Sequence, residues 1–165
     1  AFKRIANQSG GTINYHSESV NAMQVPETLT GLRTQFLSLH HFKPNDAKRI
    51  LQNAADSNAP IAVFEATERK VVNLIGMLLL PIMVWLITPF IKPFTLSRFV
   101  FTYLIPLIPL CTMWDGMVSV LRSYTEAELL DMTQSLNADH YTWEVGKLPM
   151  KKGGGNIVYL LGYPT

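Results

Sequence analysis

From Val71 to Leu121 the chain carries only three charged residues, Lys92, Arg98 and Asp115. Any fold must place this stretch, because so much apolar surface is costly to leave in water. Its first part, "VVNLIGMLLLPIMVWLITPFI" (71–91), has no charge over 21 residues, enough to cross a bilayer at about 1.5 Å of rise per residue. A second uncharged run, "FVFTYLIPLIPLCTM" (99–113), is shorter than the roughly 17–25 residues that a span needs. Pro81, Pro89, Pro106 and Pro109 interrupt the two runs. Arg69 and Lys70 precede the first run, Lys92 and Arg98 separate the two, and Arg122 follows the second. The distribution of basic residues therefore selects no orientation. Three arrangements are open: a membrane hairpin, a helical pair buried in a globular core, or an interfacial cap on a membrane or a greasy substrate. The cap is the expectation for about 71–121, because the soluble segments on either side have to meet in one sheet.

Those flanking segments read as ordinary globular protein. Overall, 16% of residues are charged and 48% hydrophobic, which excludes a disordered chain. A net charge of +2 with no Lys/Arg stripe leaves no nucleic-acid footprint. Cys111 is the sole cysteine, so no intrachain disulfide forms and a reducing, cytoplasmic setting is expected. Residues 1–20 lack the apolar core of a signal peptide.

Periodicity supplies the elements. Phe2, Ile5 and Ala6 mark a short helix over residues 1–9, closed by Gly10-Gly11. "TINYHSESV" (12–20) alternates as a strand, and so does "GLRTQFLSLHHF" (31–42). Asn45 is a candidate N-cap for a helix whose Ala47, Ile50, Leu51, Ala54 and Ala55 share one face. "IAVFEA" (61–66) has the continuous apolar character of a strand covered on both faces. After the apolar stretch, Thr125 and Glu128 have capping-box spacing ahead of Leu129, Leu130 and Leu136. "YTWEV" (141–145) and "NIVYLLG" (156–162) are the last two strands, with "KLPMKKGGG" as the loop between them. Alternating strands and helices imply a Rossmann-like open α/β sheet. Two strands joined without a helix have to be antiparallel neighbours.

The chemistry-bearing residues gather at strand ends. His40 and His41 stand between an apolar run and Pro44. Adjacent residues of a strand point to opposite faces, and no third ligand is spaced nearby, so a metal site is not implied. The plain reading is a strand end with solvated histidines. The sharper one starts from the rule that open α/β sheets bind ligands beyond the carboxyl ends of their strands. On that reading His40, His41, Glu65 and the Asn21-Ala22 pair line one cleft. "WDG" (114–116) reads as a polar turn, with Asp115 either pairing with Arg122, capping the next helix or touching substrate.

The combination of segments resembles the carboxyl-terminal two-thirds of a class I S-adenosylmethionine-dependent methyltransferase. "SVNAMQVP" (19–26) is similar to the segment that contacts the cofactor adenine, with Asn21 where that family usually has an acid. "GLRTQFLSLHHFKPNDAKRIL" resembles the fourth strand with its histidine tail and following helix, and "IAVFEATER" resembles the fifth strand. "RSYTEAELLDM" resembles the helix before that fold's closing antiparallel pair. A bacterial group with the same apolar insert looks most similar, and it names no methyl acceptor.

The resemblance implies a single partial methyltransferase domain over 1–165 that uses S-adenosylmethionine. It implies cofactor contacts at Asn21, Ala22 and Leu39, catalytic roles for His40 and His41, and substrate contacts at Glu65, Trp114 and Asp115. The acceptor is expected to be a small, hydrophobic or membrane-associated molecule, with peripheral membrane contact through 71–113 at the inner face. The first two strands and the glycine loop of that family have no counterpart here, so a piece of a longer protein is expected. The alternative is a non-catalytic membrane-associated protein that retains part of the sheet.

Overall fold

The computed structural model describes residues 2–150 and 155–165. Its elements are α1 (Phe2–Gln8), β1 (Arg33–Phe36), α2 (Pro44–Asp56), β2 (Ile61–Glu65), α3 (Val71–Ile87), α4 (Leu96–Phe99), α5 (Leu107–Arg122), α6 (Glu126–Gln134), β3 (Tyr141–Pro149) and β4 (Asn156–Pro164). The strands form an open mixed sheet in the order β1-β2-β4-β3. β1 and β2 are parallel, and β4 is antiparallel to both β2 and β3. The chain is thus a mixed α/β protein whose final strand slots in between its second and third.

One row of the sheet faces the helix layer. Ile61 and Val63 of β2 and Val158 and Leu160 of β4 pack with Ile50 and Leu51 of α2 and Leu129 and Met132 of α6. The opposite face is covered only in part: Phe36 is exposed and stacks on half-buried Phe64 at 5.3 Å. The expectation of a strand covered on both sides is therefore met except at Phe64, since Ala62 on that face is buried. α2 begins two residues earlier than its sequence implies. Pro44 occupies the first helical turn, where its missing N–H costs nothing, and Lys43 is the N-cap in place of Asn45.

Segment 12–20 forms no strand. Ile13 and Tyr15 are exposed there, and alternation without a neighbouring strand lacks the cross-strand contacts that stabilise a sheet. The strand expected over 31–42 covers only Arg33–Phe36, because Leu37 takes a positive φ of 51° and turns the chain out of the sheet. β3 runs further than expected, to Pro149, because each of its residues has a partner on β4. Of the glycine triplet at 153–155, only Gly155 falls within the described residues; its carbonyl accepts the Met150 N–H at 2.9 Å.

The apolar stretch folds as helices that pack mainly on each other. α3 and α5 form a hairpin, with Gly116 leaving room for Met77: a Cβ at Gly116 would lie 2.5 Å from the Met77 Sδ. α3 continues through Pro81, although the sequence predicts an interruption there. "WDG" is likewise no turn but the interior of α5. Val71–Phe90 is long and apolar enough to cross a membrane. Leu96–Leu104 and Leu107–Arg122 would do so only as a pair bent by 73°.

Candidate functional site

The carboxyl ends of the two parallel strands hold a buried acid–histidine pair. Glu65 closes β2 on the row of Ile61 and Val63, and is 1% exposed. After β1, the left-handed turn at Leu37 leads into a 3₁₀ turn, Leu39–His41. This turn wraps the carboxylate. Oε1 of Glu65 accepts the backbone N–H of Leu39 at 2.8 Å and of His40 at 3.3 Å. Oε2 lies 2.7 Å from Nδ1 of His40, whose residue is 4% exposed. A charge buried this deeply persists only with such partners. With Nδ1–H donating to the carboxylate, the lone pair of the neutral imidazole is on Nε2. A carboxylate that fixes the tautomer in this way prepares a histidine to accept a proton or a hydrogen bond.

His41 is exposed and its ring centroid lies 4.3 Å from that of His40. The two rings are not on opposite faces of a strand, as the sequence implies, because the backbone there is a 3₁₀ turn. Beside them opens a cleft of about 330 Å³ lined by His41, Lys43, Arg69, Arg122, Tyr124 and Glu128, among others. The Tyr124 hydroxyl donates to the Phe42 carbonyl at 2.6 Å, tying the start of α6 to the histidine turn. Burial pushes the Tyr124 phenol above its ordinary range, and the nearby Glu128 and Asp46 charges add to that. Arg69 spans the cleft wall, donating to both Glu128 oxygens at 3.1 and 3.3 Å and to the Ser123 carbonyl at 2.9 Å.

The remaining sequence-predicted residues are not gathered there. Glu65 is unavailable to a substrate: its carboxylate is enclosed and serves the histidine turn instead. The Leu39 side chain is 0% exposed and belongs to the core, so its part at this edge is its N–H bond to Glu65. Asn21 is exposed, its Oδ1 accepting the Met23 N–H at 3.0 Å, and Ala22 packs on the core cluster that includes Leu39. Trp114 and Asp115 are exposed on α5, eight and seven residues before Arg122. At about 1.5 Å of rise per residue that separates them from the cleft by roughly 10 Å along the helix. Asp115, in mid-helix, caps nothing. Lys43, Arg69, Tyr124 and Glu128 are cleft residues that the chemistry-bearing motifs do not single out, although "RSYTEAEL" contains two of them.

Among the described residues no group of three or more His, Cys, Asp or Glu side chains converges on a common point. A larger cavity, about 430 Å³, lies at the opposite edge of the sheet beside Arg33, Asp56 and Asn58. The acid–histidine pair is absent from it, and open α/β sheets bind at the carboxyl edge. Asn21, Ala22 and Leu39 do not fit a cofactor cradle: one is on the surface with its amide oxygen in use, and the last is in the core.

The fold and this edge define an α/β protein with an open mixed sheet and an enclosed carboxylate–histidine pair beside a cationic cleft. No family model, curated protein or solved structure matches the chain.

Proposed function

We propose that this chain supplies the acceptor side of a Rossmann-like, S-adenosylmethionine-dependent methyltransferase acting on a small hydrophobic or membrane-associated molecule. The observation that carries this reading is the buried Glu65–His40 pair at the carboxyl ends of two parallel strands, whose neighbour His41, 4.3 Å away ring to ring, lines the open cleft. In this role His40 accepts the proton of an acceptor hydroxyl or amine through Nε2, Glu65 holds its tautomer, and His41 positions the acceptor. General-base assistance of this kind contributes about 10²–10⁴ in rate where the acceptor has to be deprotonated. The antiparallel β3–β4 pair, with capped α6 ahead of it, supports the resemblance drawn from sequence. No step is assigned to the cofactor, because Asn21, Ala22 and Leu39 do not form its cradle.

The enclosure of the pair favours a second reading, in which Glu65 and His40 staple a surface turn of a non-catalytic, membrane-associated protein. Titrating S-adenosylmethionine into the protein, in the longest form its gene encodes, separates the two. Saturable heat of binding, with S-adenosylhomocysteine competing, is the expected result. Absence of binding by either nucleoside would remove the methyltransferase reading and leave the staple.

A further inference from the structure

We propose that the cleft at the root of the α3–α5 hairpin takes the anionic head group of a bilayer lipid, with the hairpin lying in the interface of that same leaflet. The inference stands on the hairpin and its cations and does not require methyl transfer.

Two observations point to lipid. None of the residues of α3 is buried, and Leu79, Leu86 and Phe90 are 55%, 67% and 81% exposed. A helix apolar on all sides belongs in a core or in lipid, and here the globular core lies elsewhere. Secondly, the cations bracket the apolar surface. Arg69 and Lys70 stand just before α3 and Arg122 ends α5, while Lys92 and Arg98 mark the far end of the hairpin.

An in-plane hairpin brings root and tip cations to one head-group layer. Crossing the bilayer would instead carry exposed Asp115 into hydrocarbon, which penalises a carboxylate there strongly. The 73° bend also keeps the second limb from forming a straight span. Trp85 and Tyr103, each partly exposed, are pinned together where amphipathic rings sit at an interface. The Trp85 indole N–H donates to the Thr102 carbonyl at 3.0 Å, and the Tyr103 hydroxyl to the Trp85 carbonyl at 2.6 Å.

The cleft is at the point where the hairpin leaves the globular part, since Arg69 and Arg122 line it. Its one carboxylate, Glu128, is neutralised by Arg69. Lys43 and Arg122 are in no ion pair among the described residues, so the cleft keeps an excess of positive charge facing the lipid surface. A phosphodiester head group is the complement of that charge.

Flotation of the whole protein with phosphatidylcholine vesicles, with and without phosphatidylglycerol, tests both parts. The protein is expected to float preferentially with the phosphatidylglycerol vesicles, and the preference to fade as salt is raised. Lys43→Gln and Arg122→Gln each lower partitioning onto those vesicles about fivefold, with circular dichroism unchanged. Leu79→Asp lowers it on both vesicle types. Equal flotation on both vesicles, insensitive to Lys43→Gln and Arg122→Gln, would overturn the head-group site. No flotation, with a dimer by light scattering, would show that a second copy covers the hairpin. Protease access to Lys92 only from the far side of sealed vesicles would show a crossing hairpin, which also overturns the proposal.

Discussion

Glu65 organises the carboxyl edge through three hydrogen bonds, two to backbone and one to a side chain. Removing its carboxylate leaves the Leu39 and His40 N–H groups unpartnered in a dry site. Glu65→Ala is therefore expected to cost about 2–3 kcal/mol of unfolding free energy, and Glu65→Gln less, because one amide oxygen still accepts. Urea denaturation of the two variants reads this. A stability unchanged in both would mean that the turn is held by other contacts. His40 and Glu65 were each visible in the sequence as candidates, but their pairing was not. They lie 25 residues apart, and only the parallel register of β1 on β2 together with the left-handed Leu37 brings them into contact. Nothing local in "LSLHHF" announces a 3₁₀ turn whose donors are taken up by a strand end so distant in the chain.

Elements with a self-contained signal were legible. α2 shows its buried face as Ala47, Ile50, Leu51, Ala54 and Ala55, and α6 shows its capping box. In that box the Thr125 side chain accepts the Glu128 N–H at 3.2 Å and the Glu128 carboxylate accepts the Thr125 N–H at 2.8 Å. Burial raises the Glu128 pKa, but the Thr125 bonds and the Arg69 charge outweigh it and hold the carboxyl below its ordinary value. A carboxyl depressed in the folded state adds stability above its unfolded pKa and loses it as pH falls through the folded pKa. Glu128→Gln should accordingly be less stable than the parent protein at neutral pH, with the gap closing in acid. Thr125→Ala should cost about 1 kcal/mol. Thermal melts of these variants from neutral to acid pH check both; a gap that does not change with pH would remove the electrostatic part. Elements whose signal depends on partners are not legible in this way. The 12–20 alternation has no strand beside it, and Pro81 is absorbed within α3.

At the scale of the molecule, two regions of opposite character share one root. The sheet with α2 and α6 makes an ordinary core, whereas α3 and α5 leave it as an apolar hairpin with its large side chains outward. Charge patterning revealed the division at Val71 and Leu121, because charge is a local property of sequence. It did not reveal that Arg69, Arg122 and Tyr124 meet beside the histidines, which follows from the hairpin returning the chain to its starting point. On the proposed function, a methyl acceptor is held and deprotonated at this meeting point. The most direct measurement is transfer of labelled methyl from S-adenosylmethionine into lipid extract by the protein in its longest encoded form, compared with His40→Gln. The parent protein should label an extractable acceptor, and a folded His40→Gln should turn over about a hundredfold or more slower. Label transfer equal in the two proteins, or none in either despite intact folding, would contradict it.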